Sequence, residues 1–372
     1  MGSHAAEKAV ILIPSLEPDE RLPAYIKQLK EGGFAHIIVV DDGSGTAFRH
    51  VFDEVDAVDN TVVLYHEVNH GKGVALKTGY RFIMDNLPEI SGVITADADG
   101  QHTVQDCLML AEQLEDGDRA LYLGSRDFNQ ENVPPKSRSG NKITSAVFKL
   151  LYGQYLPDTQ TGLRAFRKEE LPFMAQVEGE RYEYEMKVLI ACSRAGIPMI
   201  PVTIETIYEN NNEGTHFHPI RDSWRIYKVI LGSFVKFMGS SMICVLVDQV
   251  LSNLFLHWLF PLLHINIHWN LPIGLKLDNT SMANYSARLI SAVLNFKLNK
   301  ELVFKVKEKG GAALRYTVTA VLIVILSTLG IKALMHTGLS FTIAKIITDT
   351  VLYFVSYRLQ QRWVFREESQ HE

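Results

Sequence analysis

The stretch Thr95-Ala96-Asp97-Ala98-Asp99-Gly100-Gln101-His102 decides how this chain is read. It follows a short apolar run, Gly92 to Ala96, that reads as a buried strand, and the next helical pattern opens at Thr103. Two carboxylates one residue apart thus lie at the carboxyl end of a strand in a βα unit, the edge at which open α/β sheets bind ligands. Asp-x-Asp at a strand end suits a hard divalent cation, which takes carboxylate oxygens and keeps positions open for phosphate. The plainer reading is a polar turn in which Asp97 or Asp99 caps the next helix.

On both sides of this stretch strands and helices alternate. Ala9–Pro14, His36–Val40, Thr61–His66 and Ala120–Gly124 read as further strands. Helices are expected from Pro18 to about Lys30 and from about Gly73 to Asn86. The alternation predicts a doubly wound, mostly parallel α/β sheet. Acidic residues end the second and fourth strands, at Asp41/Asp42 and Asp97/Asp99. Carboxylates do not hold phosphate directly; they hold a base, a ribose, or a metal that holds the phosphate. Gly71-Lys72-Gly73-Val74-Ala75-Leu76-Lys77-Thr78 resembles a P-loop, but Leu76 stands where the second glycine is required. No GxGxxG follows the first strand, which argues against a dinucleotide site.

The 372 residues suggest two or three domains. A net charge of −5 gives no global argument for nucleic acid. Three scattered cysteines, Cys107, Cys192 and Cys244, argue against a disulfide framework or a zinc site and fit a reducing compartment. Residues 5–225 have the composition of a soluble α/β domain, whereas 226–372 are dominated by long apolar runs.

Ile13-Pro14-Ser15, Val40-Asp41-Asp42-Gly43-Ser44, Asn69-His70-Gly71-Lys72-Gly73, the run at 97–102 and Gly124-Ser125-Arg126 together resemble glycosyltransferase family 2, with its GT-A fold. Asp158-Thr159-Gln160-Thr161-Gly162-Leu163-Arg164 narrows the resemblance to the polyprenyl- and dolichol-phosphate hexose (mannose or glucose) synthases. It covers about residues 8–225. The resemblance implies that Pro14 and Glu17 border the nucleotide, that Asp42 hydrogen-bonds the base, and that Asp97, Asp99 and Gln101 surround a Mg²⁺ or Mn²⁺ ion and the donor diphosphate. Asp42 is otherwise a turn residue.

Residues 126–142 form a polar loop with paired prolines and Lys136, Arg138 and Lys142. It reads either as a solvated basic loop or as a lid that brings Arg126 and Arg138 onto an acceptor phosphate, whose oxygens match the guanidinium fork. The resemblance assigns both arginines to the lipid phosphate. Asn141–Tyr152 is amphipathic, with Ile143, Val147, Leu150 and Leu151 on one side; it reads as packing on the sheet in preference to lying at the membrane surface near the acceptor. Asp158 is read first as a positioning residue, because a phosphate monoester has its second pKa near ~6 and needs no strong base. Glu183 and Glu185 read as surface charges on a helix from Arg181 to Ala195. Residues 208–225, with His216, His218, Arg221 and Arg225, are read as a contact region for a headgroup or the acceptor phosphate, Arg221 among the phosphate ligands.

Four apolar segments follow, about Phe234–Leu259, Met282–Phe304, Ala312–His336 and Phe341–Phe365. Each is long enough for a transmembrane helix, so the second half is expected to be an all-α domain of four spans. Arg288, Asn295, Lys297 and Asn299 interrupt the second, and Lys345, Asp349 and Arg358 the fourth. Such groups should face one another or snorkel, with Asp248 of the first span as a partner. Lys305, Lys307 and Lys309 between spans two and three, and Arg362 and Arg366 at the end, put both termini and the catalytic domain in the cytosol of a plasma-membrane protein. Asn295–Phe304 aligns with Ser356–Phe365, so the spans read as a duplicated hairpin. This half resembles the GtrA-like family.

The expected function is inverting transfer of a hexose from a UDP- or GDP-sugar to polyprenyl or dolichyl monophosphate at a lipid bilayer, yielding a lipid-linked monosaccharide. The sequence leaves a homo-oligomer open. Two other readings are a processive polysaccharide synthase, whose QxxRW motif is matched only with the wrong spacing at Gln360-Gln361-Arg362-Trp363, and flipping of a lipid-linked sugar by the membrane half.

Overall fold

Runs of four to seven residues, most of them apolar, become the strands of one sheet. In a computed structural model describing residues 4–130, 133, 135–205, 219–270, 276–305 and 311–365, these strands are β1 (Ala9–Ser15), β2 (His36–Asp41), β3 (Thr61–Tyr65), β4 (Gly92–Thr95), β5 (Leu121–Arg126), β6 (Arg164–Arg167) and β7 (Met199–Ile204). Their order is β3-β2-β1-β4-β6-β5-β7. The β1–β2, β1–β4, β2–β3 and β5–β7 pairs are parallel, and β6 runs antiparallel to both β4 and β5. The central strand β1 is buried throughout, so its sequence is continuously apolar instead of alternating.

Successive side chains of β1 serve opposite faces. Ile11 and Ile13 join Ile37, Val39 and Ile94 in a buried cluster with Leu22, Ile26 and Leu29 from the helix Arg21–Glu31 and Leu110 and Leu114 from Val104–Asp116. Burying one such side chain contributes about 1.5–3 kcal/mol. Leu12 points the other way, against Gly79 of the helix Lys72–Asn86, where a Cβ would fall 2.3 Å from Leu12 Cδ1. Thr103 opens the helix Val104–Asp116 through a reciprocal capping box with Asp106. The helix after the 95–102 stretch therefore has its own cap and needs neither Asp97 nor Asp99 for it.

The expected parallel strands form, but β6 and β7 were not anticipated. β6 is only Arg-Ala-Phe-Arg, with charge at both ends. β7 contains Pro201, which fits its place at the sheet edge. The first long helix starts at Arg21, not Pro18, because Asp19 Oδ1 accepts from the Arg21 backbone N–H at 3.0 Å and turns the chain there. The 126–142 stretch is a loop only in its first part: a helix spans Pro135–Tyr152, with proline at its first position. Arg138 therefore sits on the first turn of a helix. The three cysteines are free and buried.

The chain divides into two compact units, Met1–Ile230 and Leu231–Glu372. The second contains the greater part of the helix Pro219–Leu254 and the helices Asn279–Leu298, Ala312–His336 and Phe341–Leu359. Among the described residues, Ile226–Leu262 and Ala312–His336 are long and apolar enough to cross a membrane. The other two lie where spans are expected but carry the interrupting charges Arg288, Lys297, Asp349 and Arg358. The two aligned segments meet in space. Each ends in a π-helical turn, Asn299–Val303 and Gln360–Val364. Asn299 Nδ2 donates to Gln360 Oε1 at 3.0 Å, Ser240 Oγ donates to Asn299 Oδ1 at 2.6 Å, and the Phe304 and Phe365 rings stack at 5.1 Å. Residues that correspond in the aligned segments thus contact each other at Asn299–Gln360 and Phe304–Phe365.

Gly92 tests the tight β4–β6 approach, since a Cβ there would fall 2.4 Å from the Phe166 carbonyl oxygen. Gly92→Val is expected to destabilise the first unit by about 1–3 kcal/mol, seen as a lower Tm. Gly140→Ala, which meets nothing within 4 Å in the helix Pro135–Tyr152, should leave Tm unchanged or raise it.

Candidate active site

Acidic side chains gather along the carboxyl edge of β2, β1 and β4, and most of the local structure serves to hold them there. Asp97 follows β4. Lys72, the first residue of its helix, places Nζ 2.6 Å from Asp97 Oδ1 and 2.9 Å from Glu185 Oε1. His102 Nε2 lies 3.4 Å from Asp97 Oδ2. Burial acts to raise the Asp97 carboxyl, but Lys72 and then His102 outweigh it and hold the group well below its ordinary range. Burial likewise opposes the Lys72 charge, and Asp97 and Glu185 override it and raise the ammonium. Asp97 still keeps 32% of its side chain exposed, so it can meet a ligand.

The glycines of two distant motifs make this bridge geometrically possible. Gly71 has φ +102, and a Cβ on it would fall 2.6 Å from the Glu180 carbonyl oxygen. A Cβ on Gly73 would meet Tyr184 Cβ at the same distance, 2.6 Å. The GKG segment therefore uses its glycines to press the start of the helix Lys72–Asn86 against residues 180–184, which delivers Lys72 to Glu185. Gly162 does the same for Asp97: a Cβ there would lie 2.3 Å from Asp97 Oδ2. Thr95 Oγ1 donates to the Gly162 carbonyl at 2.8 Å, locking the 158–164 motif onto the end of β4. Arg164, buried, donates through Nε to the Thr161 carbonyl at 3.0 Å and through a terminal nitrogen to the Glu185 carbonyl at 2.7 Å.

Asp99 lies in the turn that follows, where Gly100 has φ +73. Its Oδ1 accepts from the Gln101 backbone N–H at 3.1 Å. Burial, and then the Asp97 charge, push the Asp99 carboxyl upward. Among the described residues no group of three or more His, Cys, Asp or Glu side chains is placed to hold a metal ion. The oxygen donors present nevertheless fit one: Mg²⁺ binds through one or two carboxylates and takes its other ligands from water and substrate phosphates. A cation beside Asp99 would also relieve the strained ionisation of that carboxyl.

At the ends of β1 and β2, the Asp41-Asp42-Gly43-Ser44 turn is internally bonded. Asp41 Oδ1 accepts from Ser44 N–H at 2.8 Å, and Ser44 Oγ accepts from Glu17 N–H at 2.8 Å. That bond holds Glu17 at φ +51, a left-handed conformation unusual for a residue with a side chain. Pro14 is buried in β1, and the Glu17 side chain is exposed. Asp42, expected at the base, is buried and engaged on both oxygens. Oδ1 accepts from His70 N–H at 3.0 Å and lies 2.8 Å from His66 Nδ1, and Oδ2 accepts from Gly71 N–H at 2.7 Å. It thus acts as an anion at the start of the helix Lys72–Asn86.

Arg126, at the end of β5, forks onto Asp158: Nε donates to Oδ2 at 2.7 Å and a terminal nitrogen to Oδ1 at 3.3 Å. Asp158 is fully buried, and it also accepts from Gln160 N–H at 3.0 Å. Arg138 donates to the Gln130 carbonyl at 2.6 Å. The side chain of Arg221, and His216 and His218 altogether, lie outside the described residues. Among the expected residues, the structure brings together Asp97, Asp99 and Gln101 on one turn, Pro14, Glu17 and Asp42 on the adjacent strand ends, and Arg126 with Asp158.

Glu185 is corrected: it is a half-buried ion-pair partner of Lys72, with 15% of its side chain exposed, and not a surface charge. Lys72 was passed over with the rejected P-loop. The signal for it was a lysine at the start of a helix between two glycines, next to a chain with unpaired strand-end carboxylates. His66 and Arg164 gave no comparable sign.

Two substitutions probe these roles. Asp42→Ala orphans the buried Gly71 N–H, at a cost of about 1–3 kcal/mol, and removes the acceptor of the His70 N–H. It should lower Tm as well as nucleotide affinity, whereas a residue that only touched the base would lower affinity alone. Lys72→Met leaves Asp97 and Glu185 as uncompensated neighbours and is expected to cost about 3–5 kcal/mol, measured by denaturant unfolding.

Two family descriptions match separate parts of the chain. Residues 10–172 match the family described as glycosyl transferase family 2, and residues 279–365 match that described as GtrA/DPMS, transmembrane domain. An uncharacterized protein of Methanocaldococcus jannaschii is 29% identical over 229 residues, 60% of this chain and 92% of that one. A UDP-N-acetylglucosamine–dolichyl-phosphate N-acetylglucosaminyltransferase of Methanococcus voltae is 28% identical over 221 residues, 55% of this chain and 87% of that one. A polyprenol monophosphomannose synthase of Mycolicibacterium smegmatis is 24% identical over 206 residues, 53% of this chain and 77% of that one. Residues 10–172 thus form a glycosyl transferase family 2 domain and residues 279–365 a GtrA/DPMS transmembrane domain, and the chain is a glycosyltransferase.

Proposed function

We propose that this membrane glycosyltransferase moves a single hexose, or its N-acetylamino counterpart, from a nucleoside diphosphate to polyprenyl or dolichyl monophosphate, with inversion at the anomeric carbon. One observation carries the reading. A strand-end carboxylate cluster of the kind that handles a diphosphate shares a chain with a transmembrane domain of the GtrA/DPMS family. Relatives named for dolichyl- and polyprenyl-phosphate acceptors support the lipid side.

The chain's own residues have clear tasks in that reaction. Asp42 shapes the His70–Gly71 turn against which the base would lie, and Pro14 and Glu17 border the nucleotide. Lys72 holds Asp97 at a fixed place on the sheet edge. Mg²⁺ or Mn²⁺, held by Asp99 with Asp97 and Gln101 beside it, would neutralise charge growing on the departing nucleoside diphosphate. Asp158 fixes the orientation of Arg126, whose guanidinium would meet the acceptor phosphate, with Arg138 and Arg221 as further anchors. The acceptor phosphate is already largely dianionic at neutral pH, so orientation and charge neutralisation, not proton removal, carry the rate. We propose further that all four C-terminal helices cross the plasma membrane, with the catalytic domain on the cytosolic side, where the basic residues at 305–309 and 362–366 accumulate.

The direct test is a panel of UDP- and GDP-sugars, UDP-N-acetylglucosamine included, with a polyprenyl phosphate and the purified chain, scored for labelled lipid. One donor should yield labelled lipid; no transfer from any donor would refute the proposal. Asp99→Ala should abolish turnover, and normal turnover by that variant in EDTA would remove the metal assignment. Arg126→Lys keeps Asp158 paired but loses the guanidinium fork, a loss of roughly 1.5 kcal/mol or more. It should raise the acceptor KM about tenfold with donor affinity unchanged by calorimetry.

A further inference from the structure

The two copies of the helical hairpin in the C-terminal unit are built differently at equivalent places. In the register that aligns Asn299 with Gln360, Arg288 corresponds to Asp349. In the second copy Ser327 Oγ donates to Asp349 Oδ1 at 2.9 Å. The helices there close tightly, since a Cβ on Gly330 would fall 2.7 Å from Thr348 Cγ2. In the first copy Arg288 pairs with Asp248 at 3.4 Å, and Ser291 Oγ donates to Asp248 Oδ1 at 3.3 Å. Beside that pair the helices leave a cleft of about 430 Å³.

The cleft is lined by polar stripes from both sides. Gln249 and Asn253 face it from the helix of Asp248, and Asn284 and Tyr285 from the helix of Arg288. The spacings 249/253 and 284/288 each follow one helix face. Asn253, which lines the cleft, donates through Nδ2 to the Gln249 backbone carbonyl at 2.8 Å. These groups sit within Ile226–Leu262, a helix apolar enough to span a membrane, and on its neighbour. Polar groups at such depth are costly unless they meet one another or a ligand.

We propose that this cleft binds the hydroxyl-rich sugar of a polyprenyl-linked monosaccharide, with the lipid chain leaving over the exposed apolar flank of Leu246, Val250 and Leu289. One acid and one base cancel in charge, which suits a neutral polyol better than a free anion. Side-chain amides, a carboxylate and a guanidinium supply the paired donors and acceptors that vicinal hydroxyls need, and Tyr285 adds an aromatic wall. The volume falls within the ~300–1,000 Å³ of small-ligand sites. The identity of the lipid rests on the transfer proposed above; the preference for a sugar rests on the cleft.

The test uses the full chain in nanodiscs and two chemically made probes, farnesyl-phosphate glucose and farnesyl-phosphate mannose, each with a diazirine on the sugar. After photolysis and peptide mapping, at least one probe should label the segments 249–256 and 284–288. Excess unlabelled sugar lipid should suppress that labelling and farnesyl phosphate should not. Asn253→Leu combined with Asn284→Leu removes two hydrogen-bonding groups and should lower cleft labelling about tenfold, with Tm and transfer from the nucleotide donor unchanged. Labelling confined to residues 4–205, equal suppression by farnesyl phosphate, or undiminished labelling of the double variant would overturn the proposal. Because the probes do not depend on the enzyme's own product, cleft labelling in a chain that transfers from no donor would refute the transfer and leave the cleft site standing.

Discussion

The first unit depends on a Lys72 ammonium placed between two carboxylates. Asp97 and Glu185 come from a strand end and a helix more than eighty residues apart, and they would repel if brought together alone. Lys72 makes their approach favourable, and the surrounding glycines make it possible. Gly71 and Gly73 let the lysine's helix touch residues 180–184, and Gly162 lets backbone run against Asp97. Motifs at 69–73, 97–102 and 158–164 are therefore parts of one construction. Its outcome is an Asp97 that stays ionised at the sheet edge beside an Asp99 that lacks a cationic partner of its own among the described residues.

The second unit is organised by polar contacts of another kind. Asn299 and Gln360 bond across the two copies of the repeat, each within a π-helical turn, while Phe304 and Phe365 stack beside them. Gln360 and Gln361 are buried in this packing. Their place among helices, along with their spacing, separates Gln360-Gln361-Arg362-Trp363 from the motif of a processive synthase. A simple anchor needs only an apolar surface, and this unit retains a carboxylate with a polar partner in each hairpin, Asp248 and Asp349, and amides at the matched positions Asn299 and Gln360.

Much of this was legible in the sequence, for physical reasons that can be stated residue by residue. Buried parallel strands read as continuous apolar runs, so β1, β2, β3, β4 and β5 stood out, and the carboxylates at the end of β4 followed from the run before them. β6 escaped because four residues with arginine at each end have no strand pattern; β4 and β5, not local preference, hold it. Glu185 looked like a surface charge because its partner is distant in sequence, and its burial exists only once Gly71 and Gly73 bring the helix starts together. Asp42 was legible as important but not in its bonding, since the sequence does not show that two backbone N–H groups and a histidine converge on it.

The central claim is that a nucleoside-diphosphate sugar gives up its sugar alone, to a lipid phosphate, at the strand-end carboxylates. The nucleotide released during lipid labelling tests this most directly, read together with the anomeric configuration of the product by NMR. The account predicts a nucleoside diphosphate, formed one for one with a lipid phosphodiester of inverted configuration. Release of a nucleoside monophosphate, which would mean transfer of the sugar together with a phosphate, would contradict it, as would retention at the anomeric carbon.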